Sequence, residues 1–218
     1  MPIEFMKVRV GRKTIYGIIH WPKQVPAALV IGSHGLYSSK ESGKFVLLGE
    51  KFSEEGIAFL RYDHQGCGES EGELVGDPLL RLKDLESIFE FAIAHPLVKK
   101  ESIGLFGSSL GGFISVLKGA KDPRVKALVL LATPLSLKGL KGVRKVDLKE
   151  KIGKLKNTLI IHGTQDEVVP FHEAQRLFEL AQEPKKFVPL PGADHRISDP
   201  EDRLKVVKLS LEWFKNFL

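Results

Sequence analysis

Cysteine is nearly missing from this sequence: Cys67 is the only one in 218 residues. No internal disulfide can form, and a metal cluster held by several thiolates is excluded. A lone cysteine of this kind reads as a packing residue rather than a catalytic thiol. Long apolar runs are missing too. No stretch approaches the roughly 18 consecutive apolar residues that a membrane-spanning helix needs, and Met1-Pro2-Ile3-Glu4-Phe5 lacks the basic-then-apolar order of a secretory leader. The expectation is a cytoplasmic protein without stable membrane insertion. Asparagine is confined to Asn157 and Asn216 and methionine occurs twice, while lysine and glutamate are plentiful, a bias that points to a thermophilic source.

What is present is ordinary for a globular chain, with 43% hydrophobic and 28% charged residues. One domain over residues 1–218 with a large core is expected. The net charge of +6 is spread along the chain and not gathered into one dense block. It reads as a solvated, mildly basic surface, and no nucleic-acid partner is expected.

Hydrophobic patterning predicts an opening hairpin, Lys7 to Val10 and Thr14 to Trp21 around Gly11-Arg12. Four continuous apolar runs follow, Ala27 to Ile31, Ile57 to Leu60, Ile103 to Phe106 and Val125 to Leu131, with later runs at Thr158 to Ile161 and Lys186 to Leu190. Runs without alternation fit parallel strands buried on both faces. Asp77-Pro78 opens a helix reaching His95, with Leu82, Leu85, Phe89 and Ala92 on one face. Asp199-Pro200 opens another, whose predicted core stripe is Leu204, Val207, Leu211, Phe214 and Leu218. The acidic cluster Asp199, Glu201 and Asp202 is explained by that helix start, and no metal is invoked for it. Strand and helix alternate to the C-terminus, so the predicted fold class is α/β, a mostly parallel sheet with helices on both faces.

Catalytic groups in such a sheet gather on loops at the carboxyl ends of the strands. The loop after Ile103 to Phe106 carries Gly107-Ser108-Ser109-Leu110-Gly111, a G-x-S-x-G sequence between an apolar run and a helical segment, which makes Ser109 the candidate nucleophile. Gly68-Glu69-Ser70-Glu71-Gly72 matches the same pattern but has no strand before it and flanks its serine with two glutamates, so Ser70 reads as a loop serine. Ser108 fails on register, because Phe106 and Leu110 stand where glycines are needed. A serine hydroxyl needs a base to take its proton and a carboxylate to orient that base. Asp166 and His195 lie on the last two strand-end loops, in the chain order Ser109, Asp166, His195. His64 is the rival base and Glu167 the rival acid; His34 reads as a residue shaping its own loop.

Taken with His34-Gly35, Asp63 to Ser70, His162 to Pro170 and Gly192 to His195, these residues give a sequence that resembles the α/β-hydrolase family, and most of all its compact serine esterases. The resemblance covers nearly the whole chain. It implies an α/β-hydrolase fold, a nucleophile at Ser109, a base at His195, an acid at Asp166, and an oxyanion hole from the backbone N–H groups of Leu36 and Leu110. It implies a small-molecule ester as partner and no cofactor or metal. Gln65 stands where many relatives have arginine, and Ser108 where histidine is common. Only residues 135–156 are available as a lid, with Leu137, Leu140, Val143, Val146 and Leu148 supplying apolar surface among Lys138, Lys141, Arg144, Lys145, Lys149 and Lys151; the segment reads equally as a small lid walling the acyl pocket or as a solvated amphipathic helix lying over the sheet. The expected activity is cleavage of short to medium carboxylic esters through an acyl-enzyme. A thioesterase or small peptidase with the same residues, or a non-catalytic binding module of this fold, are the other readings.

Overall fold

The structure is a computed structural model that describes residues 2–74, 76–137 and 146–218. β1 (Ile3–Val10) and β2 (Lys13–His20) form the expected antiparallel hairpin, with Val10 opposite Lys13. Gly11 turns it at φ +63°, a conformation that L side chains rarely adopt. Six more strands complete the sheet: β3 (Ala27–Ser33), β4 (Ala58–Tyr62), β5 (Val98–Ser108), β6 (Val125–Leu131), β7 (Thr158–Gly163) and β8 (Lys185–Leu190). Their order is β1-β2-β4-β3-β5-β6-β7-β8, antiparallel as far as β4 and parallel from there on. This is the α/β-hydrolase architecture expected from the sequence. β5 begins five residues before its apolar run, because Lys99, Lys100 and Glu101 extend it through exposed positions that carry no hydrophobic signal.

Helices cover both faces. On one side α1 (Gly43–Glu54) and α6 (Pro200–Phe217) bury Phe45, Leu48, Phe52, Val206, Val207 and Phe214 against the sheet. On the other lie α2 (Pro78–Ala94), α3 (Leu110–Gly119), the single turn α4 (Lys149–Ile152) and α5 (Phe171–Leu180). Both proline-led helices start as their sequences predict. The Asp77 side chain accepts from the Leu79 N–H, and Asp199 accepts from Glu201 and Asp202, satisfying amides that have no partner inside the helix.

The predicted stripe on α6 needs correction. Leu204 is 52% exposed, and the buried positions are Val206, Val207, Ser210 and Phe214. Val207 and Phe214 are buried as predicted and Leu211 and Leu218 pack part-buried against the same core, so the buried face extends round the helix to Val206 and Ser210 and leaves Leu204 outside it. Ser210 is tolerated at its centre because its hydroxyl donates to the Val206 carbonyl at 2.7 Å within the same helix.

The order of strands along the sheet reverses at β3, which has β4 on one side and β5 on the other. A crevice opens outside the carboxyl ends of strands at such a point. Ser33 pairs with Gly107 at the ends of β3 and β5, so residues 34–36 and 108–110 leave the sheet side by side. Residues 135–156 begin and end packed: Ser136 bridges Asp147, Leu148 donates its N–H to the Leu135 carbonyl, and Leu135, Leu137, Leu148, Ile152 and Leu155 are buried. Lys138, Leu140, Lys141, Val143, Arg144 and Lys145 of that segment lie outside the described residues.

Candidate active site

Ser109 sits between the end of β5 and the start of α3 with φ 54° and ψ −120°. This is strained backbone for a residue with a side chain, and surrounding contacts must hold it. Its N–H donates to the Leu131 carbonyl at 2.8 Å. The neighbouring glycines are required by close approach: a Cβ on Gly107 would lie 2.4 Å from the Gly112 Cα, and one on Gly111 would lie 1.9 Å from the Ser33 carbonyl oxygen. The G-x-S-x-G spacing thus lets β5, α3 and the end of β3 converge beneath one serine.

The loops after β7 and β8 bring the other two residues to it. His195 Nε2 is 3.1 Å from Ser109 Oγ, and His195 Nδ1 is 2.8 and 3.0 Å from the two Asp166 carboxylate oxygens. An ionised carboxylate only accepts, so Nδ1 carries the proton and Nε2 is left to accept from the serine. The Asp166 side chain is fully buried and also accepts from the N–H groups of Val168 and Val169 at 2.9 and 2.8 Å. Burial by itself would raise its pKa; the bonds from His195, Val169 and Val168 outweigh that and hold the carboxyl below the ordinary aspartate range.

The rival residues have other partners. His64 is buried, with Nδ1 3.2 Å from Asp84 and Nε2 3.3 Å from the Tyr62 hydroxyl, and burial followed by the Arg81 charge keeps it well below the usual histidine range. Glu167 accepts from the backbone N–H of His195 at 3.2 Å. Ser70 accepts from the Tyr16 N–H at 3.0 Å and donates to the Asp63 carbonyl at 2.7 Å, tying the hairpin to the loop after β4.

Leu110 directly follows the serine, and Leu36 follows Gly35. Leu110 opens α3, where the helix dipole favours negative charge. Gly35 lies against Ser109, since a Cβ on it would be 3.4 Å from the serine Cβ. Among the described residues, neither the Leu36 nor the Leu110 N–H is taken up by a hydrogen bond. The His34 ring bridges two loops: its Nε2 accepts from the His64 N–H at 3.2 Å, so Nδ1 donates to the Gly35 carbonyl at 2.7 Å.

Several polar residues around the site were not singled out in the sequence. Lys44, at the start of α1, donates to Ser108 Oγ at 3.0 Å; burial first, then the Arg203 charge, pull its pKa down to about 8. Lys40 is buried and paired with Asp63 at 2.8 Å, fixing the chain after Leu36 to the end of β4. Arg81 and Asp84 are buried on α2. A helical wheel carries a signal for both, because Arg81 falls in register with Leu85, Ile88 and Ala92, and Asp84 with Ile88. Asp84 also explains Gln65, which donates to it from its side-chain amide at 2.6 Å and its backbone N–H at 3.0 Å.

The model of a family described as serine aminopeptidase, S33, matches residues 24–157, and that of the prolyl oligopeptidase family matches residues 134–218. A Salmonella typhimurium protein, YfhR, is 27% identical over 165 residues, 65% of this chain and 56% of the relative. The monoglyceride lipase of Rattus norvegicus is 31% identical over 122 residues, 54% of this chain and 39% of the relative. The chain therefore spans about half the length of the curated relatives it matches. Among solved structures, Est1E of Butyrivibrio proteoclasticus with ferulic acid bound superposes with a TM-score of 0.81 at 23% identity, over 96% of this chain and 99% of that one. Among the described residues no helix is long and apolar enough to cross a membrane.

Proposed function

The chain belongs to the serine aminopeptidase S33 family of α/β-hydrolases, and from that membership we propose that it is a serine hydrolase acting on carboxylic esters through an acyl-enzyme on Ser109. The observation that carries this reading is the continuous hydrogen-bonded chain from Ser109 Oγ through the His195 ring to Asp166, at 3.1 and 2.8 Å. As Ser109 Oγ attacks the substrate carbonyl, its proton passes to His195 Nε2. Asp166 stabilises the resulting imidazolium and keeps the ring in the required tautomer. Negative charge developing on the carbonyl oxygen is met by the Leu36 and Leu110 N–H groups, each worth about 3 to 4 kcal/mol where comparable donors have been removed. His195 then protonates the departing alkoxide, and on the return half-reaction it deprotonates the water that attacks the acyl-serine.

The ester preference is supported by the monoglyceride lipase likeness and by the shared fold of a protein that binds ferulic acid, a carboxylic acid. Short to medium acyl groups fit a site whose serine is partly open to solvent and whose insertion, residues 135–156, has buried flanks. Residues 1–218 then act as a single domain carrying that lid-like insertion. The peptidase names of both matching families favour a second reading, cleavage of small peptide amides by the same residues. A binding module without catalysis would have no use for an oriented histidine beside a strained serine.

A fluorophosphonate probe tests the proposal directly. The native protein should be labelled and Ser109→Ala should not; equal labelling of the two, or none of the native protein, removes the serine-hydrolase reading. A panel of esters, thioesters and peptide amides of increasing acyl length then separates the ester and peptidase readings by kcat/KM.

A further inference from the structure

We infer that Arg81 is a positioning residue for the oxyanion site, holding the Gly35-Leu36 peptide so that its N–H faces Ser109. The inference rests on the acyl-enzyme reading above and adds to it a residue that neither the motifs nor the order of the triad points to. Arg81 is 1% exposed, projecting from the first turns of α2. Its Nη1 donates to the Gly35 carbonyl at 3.2 Å, and its Nη2 donates to the Leu36 carbonyl at 3.1 Å and to Cys67 Sγ at 3.3 Å. Two consecutive carbonyls of the loop after β3 are thus gripped by the two arms of one planar fork.

Peptide geometry turns that grip into aim. In a trans peptide the C=O and the following N–H point in opposite directions. The Gly35 oxygen is held by Arg81 at 3.2 Å and by His34 Nδ1 at 2.7 Å, so the Leu36 N–H is turned the opposite way. Gly35 itself packs against Ser109, a Cβ on it lying 3.4 Å from the serine Cβ. A rotation of the peptide would have to break both bonds to the Gly35 oxygen and misalign the bond to Leu36. A guanidinium on the carbonyl end also polarises the peptide and strengthens its N–H as a donor, since linked hydrogen bonds reinforce one another. Lysine at this position would supply the charge without the fork. Asp84, three residues on, holds Gln65 and His64 of the neighbouring loop, so one face of α2 braces both loops that border the crevice.

The test uses Arg81→Lys and Arg81→Gln in the full chain, each checked for fold by circular dichroism and for active sites by fluorophosphonate titration. With a p-nitrophenyl ester, kcat per titrated site should fall about 10- to 100-fold in Arg81→Gln and less in Arg81→Lys, with KM within about twofold. A trifluoromethyl ketone adduct on Ser109 supplies a readout that a merely structural role would not move. Its hemiketal hydroxyl, titrated by NMR, should become harder to ionise by about one pH unit for each tenfold loss in kcat. Folded variants with native kcat and native hemiketal titration overturn the inference. If neither variant folds, the native adduct decides: the Leu36 amide proton should move strongly downfield on adduct formation, and an unmoved Leu36 amide also overturns it. A native protein that neither reacts with the probe nor forms the adduct instead removes the serine-hydrolase reading.

Discussion

The ammonium of Lys44 donates to Ser108 Oγ at 3.0 Å, which puts a half-buried positive charge one residue from the proposed nucleophile. Ser108 stands where the family resemblance leads one to expect histidine, and the lysine reaches in from α1 beside it. Burial, with Arg203 nearby, depresses the Lys44 pKa to about 8. A lysine whose folded pKa lies below its unfolded value pays a penalty while both states are charged, and the penalty fades as pH rises from 8 towards 10.5. Lys44→Met should therefore be more stable than the native protein at pH 7, by about 1 to 2 kcal/mol. Urea melts at pH 7 and pH 10 should show the gap closing; a gap that widens with pH contradicts this.

Ser109→Ala should lower kcat by about 10⁶, the scale seen when the members of a triad act as one unit. Ser70→Ala should keep near-native activity yet lose about 1 to 3 kcal/mol of stability, since it leaves the part-buried Tyr16 N–H without its acceptor. Kinetics and melting of the two variants separate the two G-x-S-x-G serines, and equal losses of activity would reverse the assignment.

Asp166→Asn should reduce kcat by about 10⁴ with KM little changed, because the amide can no longer hold the His195 tautomer. The Val168 and Val169 N–H bonds to the side-chain oxygen can persist, so the variant should fold. Steady-state kinetics with an activated ester check this, and native kcat would show that the acid lies elsewhere.

Gly111→Ala should be strongly destabilising, by about 3 kcal/mol or more, because the added Cβ would lie 1.9 Å from backbone at Ser33 and one strand end must move. A melting temperature within a degree or two of native would show that β3 and α3 separate more easily than this contact implies.

Acid should destabilise the fold through its buried histidines. Burial, reinforced by Arg61, holds His20 at about 4; burial, reinforced by His64 and Arg81, holds His34 at about 3; His64 lies well below its ordinary value. Each stays neutral when folded and charges when unfolded, so their contribution is intact above pH 6.5 and is lost as pH falls towards 4. Three protons taken up on unfolding correspond to as much as about 4 kcal/mol lost per pH unit in that window. Denaturant melts from pH 7 to pH 4.5 measure it, and a stability independent of pH there would mean that these rings already carry charge in the fold.

The strands, the two proline-capped helices and the loops bearing Ser109, Asp166 and His195 were legible in the sequence because each leaves a local mark: an apolar run, an Asp-Pro start, or a polar residue straight after a strand. Leu204 misled because the spacing of apolar residues along a helix carries no information about where the sheet beneath it ends. Arg81 shares the buried register of α2, yet its pairings, like those of Lys44 and Lys40, were hidden for a different reason. Each is a charged residue whose burial depends on partners distant in sequence, the Gly35 and Leu36 carbonyls, Ser108 and Asp63, and no pattern within a single segment announces such pairings.

Among the described residues β8 is an edge strand, paired with β7 alone, and the loop that follows it carries His195. Opening free energies are lowest where backbone pairing is one-sided, so this end of the sheet should separate before the strands around β5 do. The serine would then remain on its turn while its base drifts out of reach. Heating should silence the protein at a temperature where most of its sheet is still intact, and cooling should restore it without refolding of the core.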